Sequence, residues 1–76
     1  MITFDPFWQE MENRGISIYA LEYDYGLNPA EISRLKNNHN FTVKSINKLC
    51  VLFDMRPEEI MDFVKTDKDE DLYARY

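Results

Sequence analysis

The chain has 76 residues and a formal net charge of −5. That length fits one small domain with a modest core, and a single cysteine (Cys50) with a single histidine (His39) excludes an intrachain disulfide and a Cys/His metal cluster. The longest unbroken apolar run, Leu49 to Phe53, is far short of the ~20 residues of a membrane span, and "MITFDPFW" has no secretory pattern, so a soluble, cytoplasmic protein is expected.

In chain order, each of the three prolines opens a helix, because an N–H missing at N1 leaves no helical bond unmade. "DPFW" puts Asp5 at an N-cap and Pro6 at N1. Helix 1 is expected from Pro6 to Asn13, with Phe4, Phe7, Trp8 and Met11 on one face. "RGIS" closes it, and Ser17 caps helix 2, expected from Ile18 to Tyr25 with Ile18, Leu21 and Tyr25 at helical spacing. Tyr19 and Tyr23 share a helical face and are expected to pack against helix 1. Gly26 ends helix 2 by supplying a left-handed residue at low cost.

"NPAE" gives Asn28 as N-cap, Pro29 at N1 and Glu31 at N3, close to a capping box. Helix 3 is expected from Pro29 to Asn37. Ile32 and Leu35 face inward, and Ala30, Glu31, Ser33, Arg34 and Asn37 face out. After the polar loop "NNHN", Thr42 caps helix 4, whose stripe is Val43, Ile46, Leu49, Cys50 and Phe53. Helix 5 is expected from Pro57 to Val64, with Glu59 at N3 and Ile60, Met61, Phe63 and Val64 apolar. No stretch alternates long enough to read as a strand. The expected organisation is an all-α, five-helix domain over 1–66 and an acidic tail over 67–76, where Leu72, Tyr73 and Tyr76 make a short apolar face.

Two short helices joined by a tight turn at Gly26, the second starting at Asn28–Pro29, make a helix-turn-helix in which helix 2 braces helix 3. Charge is distributed to match. Between Gly26 and Cys50 stand four cations, Arg34, Lys36, Lys44 and Lys48, and one acid, Glu31. A polyanion responds to that local field and not only to the total charge.

The stretch "SIYALEYDYGLNPAEISRLKNN" resembles the helix-turn-helix of Cro/CI-type, lambda-repressor-like transcriptional regulators, with Leu21, Gly26, Ile32, Ser33, Arg34 and Leu35 at matching positions. The resemblance runs from Phe4 to Val64 and includes the ending "INKLCVLFDMRPEEI". Glu22 departs from it, standing where the family usually has a small residue. The resemblance implies a sequence-specific DNA-binding regulator that lays helix 3 in the major groove. It implies base contacts from Asn28, Ala30, Glu31 and Arg34, with Arg34 as chief reader. It implies phosphate contacts from Ser17, Tyr19, Lys36, Asn37, Asn38, His39, Asn40 and Lys44. The chemistry is suitable, since arginine donates twice to a guanine edge and asparagines and helix N-termini bind phosphate without net charge. The expected partners are double-stranded DNA and a second copy of the chain, with no cofactor, metal or small-molecule ligand.

No enzyme is expected. The two glycines, Gly15 and Gly26, do not make a phosphate loop, and His39 has no nucleophile or carboxylate beside it in the sequence. Glu31 reads first as a helix cap and second as a base reader. The alternative reading is a helix-turn-helix reused for protein–protein contact, antitoxin-like or as a regulatory adaptor. The acidity, Glu22, Glu31 and the tyrosines favour that alternative.

Overall fold

The computed structural model describes residues 1–69. Its elements in order are β1 (Ile2–Thr3), α1 (Asp5–Arg14), α2 (Ile18–Tyr23), α3 (Pro29–Lys36), α4 (Val43–Phe53), α5 (Pro57–Ile60) and β2 (Asp62–Phe63). The chain turns helical again at 67–69. The mostly helical fold and the helix-turn-helix, α2 packed on α3, agree with the sequence reading.

The helix ends follow their caps closely. Ser17 Oγ accepts from the Ala20 amide, Asn28 Oδ1 from the Glu31 amide and Thr42 Oγ1 from the Ser45 amide. Each satisfies a donor that the first turn leaves unpaired. Gly15 is left-handed, and the amide of Ile16 reaches back to the carbonyl of Met11, which closes α1. Gly26, with φ +75°, turns the chain so that Leu27 donates to Leu21 and α3 can start two residues later. Two non-glycine residues, Asn38 and Asp54, also adopt positive φ, and asparagine and aspartate are the types that do so most readily.

Phe7, Met11, Leu21, Leu35, Leu49 and Ile60 are fully buried and form the centre of one core. Each such side chain stabilises the fold by roughly 1.5–3 kcal/mol through burial. Phe7 meets Phe53 edge-on, with centroids 5.6 Å apart, and Tyr25 lies against Phe53 at 4.6 Å. Two long-range hydrogen bonds tie α1 to helix ends that lack an intrahelical partner. Trp8 Nε1 donates to the Leu35 carbonyl at 3.1 Å, and Arg14 Nη1 donates to the Phe53 carbonyl at 2.8 Å.

Several expectations are corrected. Helix 5 stops at Ile60, not Val64. Met61 is extended, and the next two residues pair with the start of the chain in an antiparallel ribbon, Ile2 opposite Phe63 and Thr3 opposite Asp62. Ile60 to Val64, four apolar residues interrupted by Asp62, is too short a stretch for its periodicity to separate strand from helix. Asp5 is not an N-cap: Phe4 holds that position, without a side-chain bond, and Asp5 is the first helical residue. Helix 2 ends at Tyr23 and helix 3 at Lys36. Val43 is 86% exposed because it begins α4, beyond the elements that cover Ile46, Leu49 and Phe53. Tyr19 and Tyr23 do not pack on α1; they are exposed and stacked on each other, with centroids 4.5 Å apart.

Beyond β2, Asp69 closes on Thr66. Its carboxylate accepts from the Thr66 amide and hydroxyl, and from the amino group of Met1 at 2.5 Å. Together with the Val64 amide donating to the Met1 carbonyl, this pins the two ends of the ribbon. The expected apolar face of Leu72, Tyr73 and Tyr76 lies outside the described residues.

Candidate nucleic-acid interface

The first turn of α3 decides how its charges are aimed. Asn28 and Glu31 form a full capping box: the Glu31 amide donates to Asn28 Oδ1 at 2.8 Å, and the Asn28 amide donates to Glu31 Oε1 at 3.3 Å. The Glu31 side chain therefore turns back along the helix. There it meets Lys48 of α4, whose Nζ lies 3.1 and 3.2 Å from its two oxygens. Glu31 is 8% exposed. Its expected outward position is thus corrected, because one carboxylate cannot complete the cap and also stand out from the face. Its reading as a cap holds.

This pairing removes the single acid from the basic stretch. Arg34, Lys36 and Lys44 are exposed, and none of them is ion-paired with a described residue. Arg34 shares an open polar hollow with Asn38, His39 and Asn40. So the structure brings together the chief expected reader and three of the expected phosphate contacts. Lys36 instead borders a shallow groove between α2 and α3 with Ser33 and Glu22. Ser17, Tyr19 and Lys44 do not line the polar hollow; they stand at the starts of α2 and α4.

The side chains differ in what they have left to offer. Ser17 and Ala30 are exposed; the Ser17 hydroxyl accepts the cap bond and keeps its O–H to donate. Asn28 keeps its amide hydrogens in the same way. Asn37 is folded back, its amide donating to the Ser33 carbonyl at 2.9 Å and Ser33 Oγ at 3.4 Å. Asn38 is half-buried, and its Oδ1 accepts from the Phe4 amide at 2.9 Å. That bond, with the His39 amide donating to the Arg34 carbonyl, fixes the loop against both α1 and α3. His39 and Asn40 remain exposed.

Sequence reasoning missed Lys48 as the partner of Glu31. The two are 17 residues apart on different helices, and no local pattern links them. It also missed Trp8 and Arg14 as the side chains that seat the ends of α3 and α4. Among the described residues, no group of three or more His, Cys, Asp or Glu side chains could hold a metal ion. No helix among them is long and apolar enough to cross a membrane.

The family model of the Cro/C1-type HTH DNA-binding domain matches residues 7–66. No curated protein and no solved structure matches the chain. The match covers most of the chain and both helices of the helix-turn-helix, and the protein belongs to the Cro/C1-type HTH DNA-binding family.

Proposed function

We propose that this family member is a sequence-specific transcriptional regulator that enters the major groove of duplex DNA with α3 and its C-cap, about Pro29 to Asn37. Arg34 is the chief base reader, with Asn28 and Ala30 at the helix start. Ser17, Tyr19, Lys36, Lys44 and the loop 37–40 hold phosphates. Glu31 is left out of the contact set because its carboxylate is spent on the cap and on Lys48. Two copies act together, on half-sites ~34 Å apart, because one such module presents a small contact area.

The observation that carries this reading is the charge arrangement. A chain of net charge −5 keeps three cations exposed between Gly26 and Cys50, two on α3 and one at the start of α4, and turns the only acid of that stretch inward. Binding should weaken steeply with salt, since each neutralised phosphate releases counterions.

The test is titration of labelled DNA from the upstream region of its own gene, and of a genomic-fragment pool, at low and physiological salt, beside Arg34→Ala. Salt-sensitive specific binding that Arg34→Ala abolishes supports the reading. Folded protein that retains no fragment at low salt overturns it.

A second reading, a helix-turn-helix used to bind protein, has one observation in its favour. Tyr19 and Tyr23 are 70% and 66% exposed and stacked, and exposed tyrosine is enriched at protein interfaces. Binding through that pair would respond weakly to salt.

A further inference from the structure

We infer that Asn38, within the loop 37–40, is a positioning residue for DNA binding. Its carboxamide touches no phosphate; held by the backbone of Phe4, it sets the stretch of loop that offers His39 and Asn40. The inference rests on the phosphate part of the reading above and not on sequence specificity.

Asn38 follows the C-cap of α3 and holds φ +55°. The His39 amide donates to the Arg34 carbonyl at 2.9 Å, which closes the helix end around a left-handed residue, where glycine is usual. Glycine would adopt that φ at lower cost, so the backbone turn does not account for the side chain. The side chain has a task of its own. Its Oδ1 accepts from the Phe4 amide at 2.9 Å, across 34 positions of sequence. Phe4 is 3% exposed, and its amide stands at the N-cap of α1, ahead of any helical acceptor. A buried donor of that kind needs a partner.

The loop needs such a tie because of what lies on its two sides. On one side Asn38, His39 and Asn40 line the open polar hollow with Arg34. On the other the same three residues line an apolar recess of about 350 Å³, whose walls include Phe4, Ile46 and Met61. Side chains do not fill the space behind the loop, so close packing does not hold it forward. His39 ties it to α3 and Asn38 ties it to α1. The Phe4 ring meets Phe41 edge-on, with centroids 5.5 Å apart, just past the loop's far end. Phe4 thus grips the loop at both ends, by its amide at Asn38 and by its ring at Phe41. One turn along α1, Trp8 Nε1 takes the Leu35 carbonyl. The start of α1 and the end of α3 are thereby one unit. Asn38 is half-buried in it, its carbonyl oxygen already bonded, while His39 and Asn40 are exposed.

The test combines amide exchange without DNA and binding to a random-sequence duplex of about two helical turns at low salt. Asn38→Gly keeps the left-handed backbone and removes the acceptor, whereas Asn38→Asp keeps both. Circular dichroism checks that the variants fold. The Phe4 amide should exchange at least about tenfold faster in Asn38→Gly than in wild type, and should stay protected in Asn38→Asp. Replacing His39 and Asn40 together by alanine should weaken DNA binding of the wild type at least about fivefold. The same replacement should cost its full factor on Asn38→Asp, because comparison within one background cancels the added charge. On Asn38→Gly, where the loop is already displaced, it should cost less than about twofold. Equal factors on all three backgrounds overturn the inference, since Asn38 then acts on phosphate by itself or not at all. A Phe4 amide that is unprotected in wild type also overturns it, whether or not Asn38→Gly folds. A wild-type chain that binds no duplex overturns this inference and the DNA reading together; wild-type binding with equal factors overturns this inference alone.

Discussion

The ammonium of Lys48 reaches across from α4 and holds both carboxylate oxygens of Glu31, at 3.1 and 3.2 Å. The same carboxylate closes the capping box of α3. One contact thus fixes the start of α3, joins it to α4 and hides the acid of the basic stretch. Lys48 is 42% exposed and the Glu31 side chain only 10%, so the pair is asymmetric. Removing the lysine leaves a nearly buried charge, whereas removing the glutamate leaves a solvated one.

Lys48→Ala should therefore destabilise the fold by about 1–3 kcal/mol. Glu31→Ala should cost about 1–2 kcal/mol, mainly through the lost cap. The double variant Glu31→Gln/Lys48→Ala should regain part of the Lys48→Ala loss, because the unpaired charge is gone. Urea unfolding of the three variants checks this. Equal costs for Lys48→Ala and the double variant would show that an unpaired Glu31 charge is not what the lysine prevents.

Replacing the exposed lysines tests the phosphate contacts. Lys36→Ala and Lys44→Ala should each lower the slope of log affinity against log salt by about 1, and should weaken all sequences alike. Arg34→Ala should instead cost about 1–3 kcal/mol at one base position. A lysine variant that changes sequence preference while keeping the salt slope would reassign its role.

Gly26 holds φ +75°, and a Cβ built there meets nothing within 4 Å. The cost of Gly26→Ala is thus conformational only, about 1–2 kcal/mol. Thermal unfolding should show that loss with the helix content kept, and a neutral result would mean that the turn relaxes.

The Asp69 carboxyl is drawn down from 3.8 to about 2, chiefly by the hydrogen bond from the Met1 ammonium and then by that from the Thr66 hydroxyl. A folded value below the unfolded one means that the contact contributes above the ordinary value and is lost as pH falls through about 2. The carboxyl carbon of Asp69, followed by NMR, should titrate near 2. A midpoint near 3.8 would show that the clasp does not form in solution.

The caps explain why much of this fold was legible in the sequence. Ser17, Asn28 with Glu31, Thr42 and Gly26 act within a few residues of themselves, so their roles can be read locally. The ribbon could not be read in that way. Two residues per strand give no alternation, and the pairing joins positions about sixty residues apart. Val43 fits the α4 stripe by spacing, but its burial depends on what lies beyond the helix end. For the candidate site, the outward set was right for Ala30, Ser33, Arg34 and Asn37 and wrong for Glu31, since the position of Lys48 is a tertiary fact. The stacked Tyr19 and Tyr23 show the same limit: periodicity gives a shared face, not what covers it.

The bond from Trp8 Nε1 to the Leu35 carbonyl gives the molecule its own optical reporter. Trp8 is the chain's one tryptophan, and it is half-buried against the last full turn of α3. Its emission colour follows the wetting of the indole, and its intensity follows the neighbouring carbonyl. A shift of α3 away from α1, whether in unfolding or in docking on a target, should be visible in the native protein's fluorescence, without any attached dye.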